Sequence, residues 1–432
     1  DEYDMPLSEL RKILLKQNEE TVKKQEKQGF SWTQRNFSQP NTVFSTDVHA
    51  EETNNTDPIL TPLMYFAKYF PDEIFNELAV KTNMYSIQKH GKNVETNERE
   101  IKKFVALHIM FGVVSYPRLR MYWKPSTKIK FLDDIGISRN RFETLRNNLH
   151  IVDINEAHNP EDKLWKIRPL VNYFDKRCEE LTIEEQLCID ESIIPFKGQL
   201  VVKQYIKGKP NPWCVKFFML CGASGIIYKS VIYQGSTTIP TNFQDKYSAT
   251  NGLVMYLAER IPEGKGHKLF CDNYFTSLVI LEELLKKRIF VAGTIRNNRL
   301  EKCPLKSENE LKKIGRGSSH SVTTKGGELV AVRWYDNKAV SMCSNFVGVE
   351  PEDEVRRWDK KEKKYIFIKR PAIVRYYNIS MGGVDKSDFL IALYRTFIRS
   401  KKWTLRVIFH YFNLGVINAW LEYQRDMKNS GM

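Results

Sequence analysis

At 432 residues the chain is too long for one ordinary domain, so two or three modules are expected. Hydrophobic residues make up 42% and aromatic residues 12%, enough apolar surface for sizeable cores, which excludes a globally disordered chain. Lys plus Arg outnumber Asp plus Glu by 67 to 52; the net charge of +15 suits a polyanion such as DNA, RNA or a membrane surface, and equally a generic basic protein.

No run reaches the roughly 18 apolar residues of a membrane span. The nearest, residues 104–114, is short and contains His108, and reads as a buried helix. There is no signal-peptide pattern, and a start at Asp1 fits a processed or excised fragment. The seven cysteines are odd in number and form no C-x-x-C pair, the pattern of a reduced intracellular protein with buried thiols and no zinc site.

Residues 1–56 are polar and mixed in charge and read as a flexible segment; 7–27 has helix-forming composition but little to pack, and 54–58 reads as a linker. Residues 60–179 are helical in pattern. Pro71-Asp72-Glu73 opens one helix with a proline and first-turn acids. Ile101, Phe104, Val105 and Leu107 stripe a second; Phe142, Leu145 and Leu149 mark a third, and 170–181 forms a fourth. Arg118, Arg120, Arg139, Arg141 and Arg146 here could lie on DNA or form a solvated basic face.

At Leu187 the period changes. Strands are expected over 187–196, 204–206 with 213–221, 226–233, 268–272 and 289–294, with helices over 251–260 and 276–287. An antiparallel meander followed by alternating helices and strands implies an α/β fold with a mixed sheet covered by helices. Residues 297–371 are rich in turns and β-formers and read as an inserted β-domain. Residues 372–377 read as a further strand, and a helical stretch from Asp385 to the end is interrupted near Ser400.

Three aspartates stand at informative points. Asp190 lies in an apolar strand, where an unpaired carboxylate is costly and demands a cation, a metal or solvent. Asp272 ends a short strand, and sites gather at strand carboxyl ends in α/β sheets. Asp385 and Asp388, three apart, share one face of a helix start. Taken singly, these could be a buried ion pair, an Asx turn and a helix cap. Taken together, they could converge as two-metal phosphoryl transfer requires, with ions about 3.5–4 Å apart and hard oxygen ligands suited to Mg²⁺ or Mn²⁺. No phosphate-binding loop, nucleophile elbow or H-E-x-x-H competes with this reading.

The blocks Leu187-Cys188-Ile189-Asp190-Glu191-Ser192, Cys271-Asp272-Asn273-Tyr274-Phe275-Thr276-Ser277 and Met381-Gly382-Gly383-Val384-Asp385-Lys386-Ser387-Asp388 resemble the signature blocks of piggyBac transposases. Arg118 to Trp123, Arg141-Phe142-Glu143 and Lys401-Lys402-Trp403 are similar to further blocks of that family, so the resemblance covers about residues 57–428. It implies an RNase H-like catalytic domain over 185–296 and 372–390, a β-rich insertion over 297–371, and a helical dimerisation and DNA-binding domain built from 57–184 and 391–432. It implies Asp190, Asp272 and Asp385 as catalytic metal ligands, Asp388 in support, and two Mg²⁺ or Mn²⁺. It further implies a nuclear homodimer that cuts double-stranded transposon ends through hairpins and inserts at TTAA. Family members usually carry a Cys-rich zinc-binding domain, of which this sequence shows no sign. A host-domesticated, non-cutting DNA-binding regulator is therefore the alternative, and an interaction scaffold a third reading.

Arg395, Arg399, Lys401, Lys402 and Arg406 surround Trp403 just after the third aspartate. Arg395 and Arg399 fall on one face if the stretch is helical. The cations are expected to hold DNA phosphates, and Trp403 to anchor the helix into the core.

Overall fold

In the computed structural model, residues 29–45, 59–396 and 398–431 are described. The helix expected over 7–27 and the linker at 54–58 lie outside them. Residues 29–45 of the leading segment are not loose: β1 (Trp32–Thr33) pairs antiparallel with a strand near residue 323. The Trp32 indole N–H donates to the Glu301 carbonyl (3.2 Å), which fixes the segment against the sheet.

Six helices follow: α1 (Pro62–Tyr69), α2 (Asp72–His90), α3 (Glu98–Val113), α4 (Lys130–Ile135), α5 (Arg139–Asn148) and α6 (Arg168–Glu180). Their starts follow the local chemistry: Thr61, Asn97 and Ser138 side chains accept from the first-turn amides of α1, α3 and α5. His108 is buried on α3, its ring stacked between Phe142 (4.7 Å) and Phe409 (4.0 Å).

The sheet begins with β2 (Gln186–Pro195), β3 (Gln204–Tyr205), β4 (Trp213–Gly222) and β5 (Ile227–Ile232). Helices α7 (Thr241–Lys246) and α8 (Ala249–Ala258) lead to β6 (Lys268–Cys271), and α9 (Leu278–Lys286) leads to β7 (Phe290–Thr294). The central order is β5-β4-β2-β6-β7, with three antiparallel strands followed by two parallel ones. This is the RNase H-like arrangement expected from the sequence.

The segment after β7 contains α10 (Glu308–Ile314), β8 (Ser319–Thr324), β9 (Val330–Tyr335), β10 (Ala339–Ser344), β11 (Asp353–Asp359) and β12 (Lys364–Arg370). It is not a self-contained β-domain. Antiparallel pairing of β10 with β7 extends the central sheet through β9, β8 and β1, while β11 and β12 form a separate two-stranded ribbon. The buried face of β9 continues the core, so the strands are more stable on the sheet than apart from it.

Residues 372–377 form no strand. They open α11 (Ala372–Ser380), which begins at Pro371. Both neighbours of β7 are already β6 and β10, leaving no edge for another strand there, and Ala372, Ile373 and Val374 bury their side chains as a helix turn instead. Then come α12 (Gly383–Leu393) and α13 (Trp403–Asn429), separated by an irregular stretch.

The final helix closes the molecule. Glu422 is buried, pairs with Arg177 on α6 (2.5 Å) and accepts from the Tyr69 hydroxyl on α1. The Asn418 side chain both donates to and accepts from the Ile227 backbone (2.9 Å each way), so α13 also satisfies part of β5. The two terminal helical segments thus pack as one layer on the sheet.

Burial pushes His108 down to about 3, against an ordinary value near 6.5. The unfolded chain takes up that proton first, so the stability this depressed value confers is present above about pH 6.5 and lost as pH falls toward 3. His108→Phe should flatten the fall in unfolding free energy between pH 6 and pH 4 by about 1 kcal/mol per pH unit. Urea titrations at each pH read this, and an unchanged slope in the folded variant contradicts it.

Candidate active site

The parallel register brings the first two aspartates together. Ile189 pairs with Cys271, so Asp190 and Asp272 follow side by side, one residue further along neighbouring strands. Adjacent strands lie about 4.8 Å apart. Cys271 in turn pairs with Gly293, which brings the end of β7 to the same row. A side chain at 293 would strike the Cys271 carbonyl (2.4 Å) and Thr276 Oγ1 (2.2 Å), so glycine permits the close approach that shapes the Asp272 loop.

The Asp272 loop is itself held. Asp272 Oδ1 accepts from the Tyr274 amide (2.8 Å), an Asx turn as its sequence context allowed. Arg299 donates to the carbonyls of Tyr274 and Thr276 (both 2.8 Å), and Arg296 to Asn273 Oδ1 (3.1 Å).

Helix α12 delivers the other two carboxylates. Its first residue, Gly383, lies so close to the sheet that a Cβ there would sit 2.2 Å from the Gly222 carbonyl and 2.8 Å from Cys188 Sγ. The backbone at Gly383 and Val384 holds the Cys188 thiol down, against the burial that pushes it up. Asp385 is exposed in the first turn. Asp388, a turn on, accepts from Ser192 Oγ (2.5 Å), which ties the helix to β2 two residues past Asp190.

The charges of Asp272 and Asp385 both bear on Asp190. Burial, then the charges of Asp272 and Asp385, push Asp190 up to about 7, against an amide hydrogen bond from Glu191 that pulls it down. Asp272 is raised by burial and by Glu191, and Asp388 by burial and by Asp385. Asp190, Asp272 and Asp385 enter no ion pair among the described residues, so the buried-ion-pair reading of Asp190 fails. Neighbouring Glu191 is the paired one, with Lys216 (2.6 Å).

Among the described residues no group of three or more His, Cys, Asp or Glu side chains closes into a metal-holding set. What fits a hard divalent cation is the donor chemistry: carboxylate oxygens in no ion pair among the described residues, with the charges of Asp272 and Asp385 raising the proton affinity of Asp190.

The basic residues divide. Arg395 and Arg399 are not on one helical face, because α12 ends at Leu393 and both lie in the irregular stretch 394–402. Lys402 donates to the Asn147 carbonyl and Arg146 to the Arg399 carbonyl (2.7 Å), which pins the stretch to the end of α5. Trp403 opens α13 partly buried against the core, as expected of an anchor. Arg395 Nε and Arg406 Nε are buried with no hydrogen-bond partner among the described residues. A groove of about 680 Å³ is lined by Lys197, Lys203, Arg399, Lys401 and Arg406 together with Phe196 and Trp213, and by no carboxylate. It opens at the Pro195 end of β2, roughly 16 Å along the strand from Asp190.

Lys216, Arg296, Arg299 and Ser192 escape sequence reasoning. For the two arginines a signal existed: they follow β7, whose parallel partner ends one residue before Asp272.

A mixed sheet with one carboxylate within a strand, one just past the end of its parallel neighbour and two on a crossing helix defines a transposase-type fold, and the family model described as "Transposase IS4" matches residues 61–420. The chain belongs to the piggyBac family of transposases and transposase-derived proteins. It is 34% identical over 368 residues to human PiggyBac transposable element-derived protein 3, covering 83% of this chain and 60% of that protein. It is 30% identical over 396 residues to human PiggyBac transposable element-derived protein 2, covering 90% of this chain and 66% of that one. The chain thus spans under two thirds of the length of these relatives. The fold matches a piggyBac transposase solved by cryo-EM as a synaptic complex with hairpin DNA, with a TM-score of 0.71 and 24% identity, covering 86% of this chain and 76% of that chain.

Gly383→Ala should destabilise the protein by about 1–3 kcal/mol, because the added methyl meets backbone rather than a movable side chain. Gly382→Ala, next to it and with open space around its Cβ, is the control. Equal unfolding midpoints for the two variants contradict the close approach.

Proposed function

We propose that this chain carries the catalytic core of a metal-dependent DNA strand-cleaving and strand-transferring enzyme, acting in cut-and-paste transposition at TTAA targets in the nucleus. The observation that supports it is the convergence of Asp190, Asp272 and Asp385 from two parallel strands and a crossing helix, with no protein cation paired to them. In this reading the three aspartates hold the metals and Asp388 supports them, positioned by its hydrogen bond from Ser192. Bound Mg²⁺ or Mn²⁺ would activate water or a 3′-hydroxyl and neutralise charge on the phosphate. The chain's own part is to hold the carboxylates rigid and guide the strand. Arg399, Lys401 and Arg406 line the groove that takes the phosphates, whereas Lys402, tied to Asn147, contributes to holding the irregular stretch.

The test is nicking of terminal-repeat DNA in Mg²⁺ or Mn²⁺. Asp190→Asn and Asp272→Asn should each abolish cleavage while leaving DNA binding within about twofold, since neither removes a phosphate contact. Activity retained in either variant sinks the reading. Arg399→Glu with Lys401→Glu should weaken binding to all duplexes alike and flatten its salt dependence. An untouched salt slope in the folded double variant sends the DNA elsewhere.

A domesticated, non-cutting chromatin regulator is the second reading. The identity of the human relatives as transposable element-derived proteins favours it. It predicts DNA binding that survives loss of all three aspartates, with no cleavage by the unaltered chain. We further propose a homodimer when DNA is bound, because a transposase of this kind must hold two ends. Mass photometry showing one chain per terminal-repeat duplex at saturation contradicts this.

A further inference from the structure

The ribbon of β11 and β12 sorts its side chains by charge state. Strand alternation gives it two faces. On the inner face the cations are matched by acids: Arg357 and Arg316 both pair with Asp336 (3.0 and 2.6 Å), Arg316 also with Asp359 (3.2 Å), and Arg370 with Asp353 (2.6 Å). Ile368 is buried there, and the Trp334 indole N–H donates to the Lys369 carbonyl (2.9 Å). Gly317, at φ +89°, lets the preceding turn close on the ribbon, where a Cβ would meet the Lys369 amide at 3.0 Å. The ribbon is therefore a braced arm of the sheet.

The outer face is built differently. The register sets Arg356 opposite Phe367 and Trp358 opposite Tyr365. Three large aromatics stand in solvent there: Trp358 is 48% exposed, Tyr365 55% and Phe367 66%. The Arg356 guanidinium lies on the Tyr365 ring (3.8 Å), and Trp358 meets Tyr365 edge to face (5.1 Å), so the rings are preorganised. At the tip, Lys360, Lys361 and Lys363 enter no ion pair among the described residues, nor does Arg356. Burying such aromatics beneath an apolar protein partner would strand these cations without counter-charges. Bases on the rings with phosphates on the cations satisfy both halves of the surface.

We propose that this outer face binds unpaired DNA bases, as a second nucleic-acid site separate from the carboxylate centre. In the sheet β7 and β10 stand between β6, which carries Asp272 at its end, and β9, the strand whose Trp334 and trailing Asp336 hold the ribbon. The site rests on the nucleic-acid side of the proposed function and not on cleavage, so an inactive Asp190→Asn chain retains it.

The experiment is fluorescence anisotropy of the whole chain with labelled oligo(dT) and with a blunt duplex. Replacing Trp358, Tyr365 and Phe367 together by Ala should cost at least about tenfold in affinity for oligo(dT), with duplex affinity changed less than about twofold. Lys360→Glu, Lys361→Glu and Lys363→Glu together should flatten the salt dependence of oligo(dT) binding. This charge variant, confined to the exposed tip, keeps the test decisive if the aromatic variant melts early. Wild-type affinity for oligo(dT) in either folded variant overturns the proposal. So does equal weakening on duplex and single strand by the aromatic variant, or a change of oligomeric state without a change in DNA affinity, which would make the face a protein interface.

Discussion

The start of α12 lies against the sheet at a separation only glycine allows. With a Cβ at position 383 overlapping the Gly222 carbonyl, any other residue there lifts the helix off β2 and β4. The bond from Ser192 to Asp388 holds the contact once it is made. Because Asp385 and Asp388 ride on this turn, that close approach sets whether the carboxylates meet at all.

The rest of the molecule fixes what this contact joins. Parallel pairing of β2 with β6 sets Asp190 beside Asp272, and a slip of one residue would send Asp190 to the opposite face. Desolvation then makes the grouping costly, pushing Asp190 up to about 7. A carboxylate raised in this way is stabilised by a positive charge brought near it. Structural ion pairs of this chain look different: Arg177 with Glu422, or Arg316 with Asp336, each meet a partner directly.

Cations are distributed by the same logic. Where they brace the fold they are matched, as on the inner face of the ribbon and at Arg141 with Glu100 (2.6 Å). Arg141 was one of five arginines of the helical region that could have faced DNA; its guanidinium is instead committed to Glu100 and the Val94 carbonyl. In the groove beside Pro195 and on the outer face of the ribbon, basic groups gather beside aromatics, and the groove lining holds no carboxylate. Net charge alone cannot tell these populations apart, because both count as positive.

The sequence by itself determined the order and kind of most central elements. The apolar runs at 187–196, 213–221 and 268–271 are local signals, and Asp190 stood out because a charge in such a strand is costly wherever the strand ends up. The signature blocks around Asp272 and Asp385 identified the family for the same local reason. Only the tertiary structure decided that 319–344 joins the central sheet, since strand partners lie far apart in the chain and turn composition does not name them. It decided that 372–380 is a helix, because β-branched Ile373 and Val374 found no vacant sheet edge. It likewise decided which cations remain available: Lys402 and Lys401 are neighbours of one type, yet one reaches the Asn147 carbonyl and the other lines a groove. That difference arises from where α5 ends in space, which no local pattern around residue 402 encodes.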